Sequence, residues 1–115
     1  MKIAVVGSRT FTDYAILENW ILSHLAVESI SMVISGGASG ADMLAEQFAQ
    51  THGIQTEIFL PDWKKYGRSA AVVRNRDIIS NCDICFAFWD GLSRGTKNDI
   101  ELCQRYSKTV YIYRF

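Results

Sequence analysis

Five short apolar runs, several rich in β-branched residues, alternate with four stretches of helical apolar spacing along all 115 residues. The runs KIAVVG (2–7), SMVIS (31–35), IQTEIFL (54–60), CDICFAFW (82–89) and TVYIY (109–113) predict strands. Between the first two, Ile16, Leu17, Trp20, Ile21 and Leu25 predict a helix from Asp13 to about Glu28, with Thr12 or Asp13 as N-cap. Ala41, Leu44, Ala45 and Phe48 form the next helical stripe, which Gly53 ends; helices over 68–80 and 96–106 complete a βαβαβαβαβ order. Parallel strands joined by right-handed crossovers leave few arrangements. The polar alternation of 54–60, stopped by Pro61, marks an edge strand and favours the order 3-2-1-4-5. The expected fold class is therefore α/β: a single Rossmann-like three-layer domain over residues 1–115, built on a five-stranded parallel sheet.

In such a sheet ligands bind beyond the carboxyl ends of the strands, where the first and fourth strands part. Three loops are expected there: GSRTFTD (7–13), GGASGAD (36–42) and DGLSRGTKND (90–99). Two combine glycines with a hydroxyl residue and open a helix, whose free N–H groups and positive dipole end favour an anion. Gly7, Ser8, Arg9, Gly36, Gly37, Ser39, Gly40, Asp42, Arg74, Asn75, Ser93, Gly95 and Thr96 are the candidate ligand- and phosphate-binding residues. Arg9 offers a planar fork for a phosphate or for a surface carboxylate, and Asp42 suits a ribose hydroxyl or the dipole of its own helix. Trp63 and Tyr66 are candidate stacking faces for a base, although aromatics in such a connection also serve to seal a domain edge. Arg76 and Asp77 fall on the outer side of the third helix and are read as solvated or paired.

GSR after the first strand, GGASGAD after the second, DWKKYGRSAAVVRN into the third helix and FWDGLSRGT after the fourth strand resemble, in order and over nearly the whole chain, the YspA-like branch of the SLOG superfamily. The resemblance implies a nucleotide or nucleotide-derived ligand, bound by some relatives as sensors and by others as enzymes. The LOG-type phosphoribohydrolases among these relatives carry a P-G-G-x-G-T-x-x-E loop and an arginine of the third helix at the glycosidic bond. Gly95 and Thr96 keep the G-T step here, Asp99 falls at the glutamate, and Arg74, ahead of Arg76, stands for the arginine. Pro-Gly-Gly is absent and aspartate is one methylene shorter, which puts binding or sensing ahead of cleavage of a nucleoside 5′-monophosphate, with Asp99 and Arg74 the catalytic pair in that alternative. Resemblance to the DNA-processing protein DprA adds single-stranded nucleic-acid binding, for which Arg68, Arg74, Arg94 and Lys97 would line the groove.

Composition narrows the classes further. Twelve basic and twelve acidic residues give a formal charge of zero, which removes the general electrostatic case for a duplex DNA binder. No run approaches the roughly 18–20 apolar residues of a membrane helix, and residues 1–7 read as a strand rather than a leader, so a cytoplasmic protein is expected. Three sparse cysteines suit reduced buried thiols, and Cys82-x-x-Cys85 has no second ligand pair for zinc. His24 and His52 fall at helix ends away from the strand tips, so no metal site, serine–histidine pair or cofactor is expected. Three Trp, five Tyr and six Phe are many for so small an interior; a homodimer or higher homo-oligomer is expected, with Val72, Val73, Ile78 and Ile79 of the third helix as a candidate surface.

Overall fold

The computed structural model describes residues 1–115. Its strands β1 (Lys2–Gly7), β2 (Met32–Ser35), β3 (Gln55–Ile58), β4 (Ile84–Trp89) and β5 (Thr109–Arg114) form one parallel sheet in the order β3-β2-β1-β4-β5. Ile3 pairs with Val33 on one side and with Ile84 on the other, so the apolar stretch of β1 lies at the centre of the sheet. Helices α1 (Tyr14–His24), α2 (Ala41–His52), α4 (Ala70–Asn81) and α5 (Arg94–Arg105) are joined by a single-turn helix α3 (Trp63–Tyr66). No helix is long and apolar enough to cross a membrane.

The period of two along β1 divides the core. Ile3 and Val5 join Leu17, Ile21, Ala45, Phe48 and Phe86 beneath α1 and α2, whereas Ala4 and Val6 join Ile34, Ile78, Ile79 and Leu102 beneath α4 and α5. All three cysteines are free and buried.

Several boundaries differ from the sequence reading for local reasons. Asp13 is the α1 N-cap, accepting from Ile16 N–H at 3.2 Å, but the helix ends at His24 rather than Glu28. There, Ser23 Oγ donates to the Trp20 carbonyl and His24 Nδ1 lies 2.7 Å from the same oxygen, Leu25 turns extended, and residues Val27–Ser29 make a separate 3₁₀ turn. The connection after β3 contains α3, because Asp62 caps it by accepting from Lys65 N–H; Gly67, at φ +56°, then breaks the path, and α4 starts at Ala70 rather than Arg68. Helix α5 starts two residues before Thr96, with Ser93 as N-cap. Ile78 and Ile79 are buried in the core between α4 and the sheet, which removes them from the expected association surface; Val72 is exposed and Val73 half-buried. The reason is the crossover itself, which lays that face of α4 on the sheet.

Candidate functional site

Where β1 and β4 diverge, the three strand-end loops and the facing sides of α4 and α5 enclose a cleft of about 460 Å³, within the range of small-molecule sites. Ala71, Arg74, Asn75 and Ile78 form an i, i+3, i+4, i+7 stripe of α4 along one wall; Gly95, Thr96 and Asp99 of α5 form another. Gly7, Ser8, Arg9 and Thr10 come from the first loop, Gly36, Ala38 and Asp42 from the second, and Asp90 and Ser93 from the last.

Ser8 ties the loops together. Its N–H donates to the Phe88 carbonyl at 2.9 Å, its hydroxyl accepts from Asp90 N–H at 3.2 Å, and its carbonyl accepts from Phe11 N–H at 3.1 Å. The buried hydroxyl is thus engaged in stitching β1 to β4 at the cleft edge. Asp90, absent from the candidates named from sequence, sets the next loop: its Oδ1 accepts from both Leu92 and Ser93 N–H at 2.8 Å, and these bonds hold its carboxyl below the usual aspartate range. Its signal in the sequence is an aspartate at a strand end followed by Gly-x-Ser, an Asx-turn pattern. Trp89 Nε1 donates to the Ser93 carbonyl at 3.0 Å, and Ser93 Oγ, 3.2 Å from Thr96 Oγ1, accepts from Thr96 N–H at 3.4 Å. Gly95, on the first turn of α5, has open space where a side chain would be.

The glycines of GGASGAD serve the loop's own packing. A Cβ on Gly36 would meet Arg74 Nη1 at 2.6 Å; one on Gly37 would meet Leu60 and Ile58; one on Gly40 would strike the Arg9 backbone at 2.5 Å. Gly36 lines the cleft, whereas Gly37, Ser39 and Gly40 do not, and Ser39 is exposed. Gly7 also lines it, but its lack of a side chain admits Ala41 of α2 and the Phe88 carbonyl, each within 2.7 Å of where a Cβ would stand.

Charge is unevenly distributed. At the mouth, Arg9 is exposed and has no carboxylate partner; the two ion pairs of the chain, His52–Glu18 and Lys97–Glu101, lie elsewhere. Inside, Arg74 donates from Nη1 to the Gly36 carbonyl at 2.9 Å and from Nε to Asn75 Oδ1 at 3.0 Å. Around it stand two buried carboxyls. Asp42 accepts from Ala38 N–H at 3.1 Å, so it braces the loop beyond complementing the α2 dipole. Burial pushes its carboxyl up to about 6 against the opposing pull of the Ala38 N–H and Arg74. Asp99 is 6% exposed and its Oδ1 has no hydrogen-bond partner. Burial, reinforced by the charge of Asp42, raises its carboxyl well above the ordinary range, with Arg74 opposing.

Not every candidate reaches the cleft. Trp63 and Tyr66 stand exposed on α3, 59% and 39% accessible, outside its walls. Arg68, Arg76, Asp77, Arg94 and Lys97 are exposed and likewise outside. His24 and His52 end α1 and α2 at the opposite edge of the sheet, where His52 Nε2 lies 3.0 Å from Glu18 Oε2.

The family model described as "YspA, cpYpsA-related SLOG family" matches residues 1–66, from β1 to the end of α3. The chain belongs to this SLOG family. The match takes in the first two loops and Asp42, while α4, the Asp90 loop and α5 lie beyond it. A curated relative, the Gene 61 protein of Mycobacterium phage D29, is 28% identical over 111 residues, covering 90% of this chain and 89% of that one. Among solved structures, DNA processing protein A of Streptococcus pneumoniae superposes with a TM-score of 0.79 at 20% identity, over 96% of this chain and 49% of that one. DNA processing protein A of Helicobacter pylori, whose structure concerns its single-stranded DNA binding mode, superposes with a TM-score of 0.74 at 20% identity, over 97% of this chain and 64% of that one. The chain thus spans just under half of one of these proteins and just under two thirds of the other, and shares their Rossmann-like fold.

Proposed function

We propose that the cleft binds or senses a nucleotide or nucleotide-derived small molecule, with phosphate at its mouth between Arg9 and the N-terminus of α5. The observation that carries this reading is that an arginine without an ion-pair partner and a helix start opened by Gly95 line the same cleft. Ser93 Oγ takes the Thr96 N–H, which leaves those of Arg94 and Gly95 without an intrahelical partner for an anion, and the guanidinium supplies neutralising charge. Arg74 is the weaker phosphate partner, because its donors are already engaged with Gly36 and Asn75 and it faces two carboxyls.

A ligand selective for the native state, at a hundredfold excess over its Kd, stabilises it by about 2.7 kcal/mol, a Tm rise of roughly 10 °C for a chain of this size. A panel of mononucleotides, dinucleotides and sugar phosphates is expected to include members that give such a shift, and Arg9→Ala is expected to weaken their binding about tenfold. No shift with any member of the panel removes this reading. Hydrolysis of a nucleoside 5′-monophosphate is the alternative and has its own readout, free base released by wild type and lost in Asp99→Asn. Single-stranded nucleic acid is a further alternative, supported by the fold shared with the DNA processing proteins and by exposed Arg68, Arg94 and Lys97 near the cleft loops.

Self-association belongs to the same proposal. Leu60, Trp63 and Val72 are 69%, 59% and 42% exposed on the connection after β3 and on α4, and burying them against a second copy recovers apolar area. Light scattering is expected to return twice the 13.0 kDa chain mass; a monomer at high concentration rules this out.

A further inference from the structure

All three cysteines of the chain lie in the core layer beneath α4 and α5, toward the end of the sheet opposite the cleft: Cys82 precedes β4, Cys85 is its second residue and Cys103 sits on the last turn of α5. They are not equivalent. Cys82 Sγ donates to the Ile79 carbonyl at 3.3 Å, and burial pushes its thiol up to about 11. Cys85 and Cys103 meet across the β4–α5 interface, where the Cys85 S–H donates to the Cys103 sulfur. That bond, together with burial, holds the Cys85 thiol well above the ordinary range. The same bond, helped by the Lys108 ammonium, lowers Cys103 although burial opposes it. One thiol is thus kept protonated while its neighbour is the better thiolate, the asymmetry of a resolving and an attacking cysteine.

The end of α5 gives a small oxidant its way in. Ser107, the only non-glycine residue with positive φ (+56°), follows the helix, and the Cys103 carbonyl is held by the Lys108 N–H at 2.8 Å across that strained residue. Gln104, Arg105, Tyr106 and Ser107 are exposed, so fraying of this last turn brings Cys103 to solvent, while β4, paired on both sides, keeps Cys85 in place. We infer that Cys103 is an oxidation site for hydrogen peroxide, resolved by Cys85 into an intrachain disulfide. The Cys103 thiolate attacks one peroxide oxygen and becomes a sulfenic acid as hydroxide leaves. The Cys85 thiol then attacks that sulfur, its proton and the sulfenic hydroxyl depart as water, and the disulfide forms; two thiols are oxidised and one peroxide is reduced. The ring so closed spans residues 85–103 and contains the Asp90 loop with Gly95, Thr96 and Asp99, so oxidation at the far end of α5 ties down one wall of the cleft.

Hydrogen peroxide treatment of the folded wild-type chain, followed by denaturation in iodoacetamide and mass spectrometry, tests this. Alkylatable thiols are expected to fall from three to one, with a mass about 2 Da lower before alkylation and a Cys85–Cys103 linked peptide that dithiothreitol abolishes. The chain unfolded in urea is the contrast: there Cys82 and Cys85 stand only three residues apart, so their linkage is expected to dominate. In folded Cys82→Ala the Cys85–Cys103 disulfide is expected to form as in wild type. In Cys85→Ala the sulfenic acid, left without a resolving thiol, is expected to be trapped on Cys103 by dimedone. Three thiols still alkylatable after peroxide, or the same mixture of links from folded and unfolded chains, overturns the inference. So does a folded-state disulfide that uses Cys82, and so does a folded Cys85→Ala protein with no label on Cys103. The wild-type mapping requires no variant, so it decides the matter if Cys85→Ala fails to fold.

Discussion

Gly40→Ala is expected to lower the unfolding free energy by about 3–5 kcal/mol, enough to leave a large unfolded fraction in a domain of this size. Two costs combine. Gly40 sits at φ +76°, ψ −129°, outside the regions open to L-residues, which costs on the order of 1–3 kcal/mol for any other residue. A Cβ there would also lie 2.5 Å from the Arg9 oxygen and 2.6 Å from its carbonyl carbon and Cα, all backbone atoms that cannot rotate away. Relief requires the β1–α1 loop to separate from the start of α2, which moves Arg9 off the cleft mouth and breaks the bond from Ala41 N–H to the Ser8 carbonyl. Gly95→Ala is the contrasting case. Gly95 has negative φ, lies inside α5 and has nothing within 4 Å of the place a Cβ would take, so alanine is expected to add about 0.5–1 kcal/mol through helix propensity. Urea unfolding followed by circular dichroism separates the two. A Gly40→Ala protein within about 1 kcal/mol of wild type rules out the close loop contact.

That pair shows what is legible in the sequence and what is not. Apolar patterning carries burial, and burial carries topology: the apolar run KIAVVG and the helical stripes recur in the structure as a central strand between two core layers and the order 3-2-1-4-5. The polar alternation of residues 54–60 correctly marks the edge. Local chemistry is also readable, since Asp13 and Gly53 cap the helices where their types suggest. The glycines of GGASGAD suggest close approach to a ligand, whereas each of Gly36, Gly37 and Gly40 is fixed by a protein neighbour: Arg74, the Ile58–Leu60 segment and Arg9 respectively. None of these neighbours is close in sequence, so no local pattern names them. The same holds for Arg74. Its residue type suggests a phosphate clamp, but its bonds to Gly36 and Asn75 and its setting beside Asp42 and Asp99 follow only from the packing of α4 across the second loop. Analogy with a catalytic glutamate singles out Asp99; its missing hydrogen-bond partner becomes visible only in three dimensions.

The missing partner makes Asp99 costly to the ligand-free fold, and its removal is expected to stabilise the protein. Asparagine keeps a polar group there but cannot take up the charge that burial and Asp42 disfavour, so Asp99→Asn at pH 7.5 is expected to gain on the order of 1–2 kcal/mol, roughly 4–8 °C in Tm. The pH dependence supplies an independent check. Asp42 and Asp99 both have carboxyls raised by burial, Asp42 to about 6, so between the unfolded value near 4 and these folded values the native state holds more protons than the unfolded one. The slope of unfolding free energy with pH has the sign of protons bound unfolded minus protons bound folded, which is negative here. Wild-type stability is therefore expected to fall as the pH rises from about 4.5 through 6, with Asp99 adding to the fall that Asp42 causes. Asp90 and Glu18, whose carboxyls are lowered, lose their contributions only under more acidic conditions and leave this window to the buried pair. In Asp99→Asn the fall is expected to be shallower, and the remaining slope to end near pH 6 with the titration of Asp42. Thermal melts of both proteins from about pH 4.5 to 8 give the comparison. A wild type whose Tm rises across that range, or an Asp99→Asn protein less stable than wild type at neutral pH, means that the Asp99 carboxyl has a stabilising protein partner.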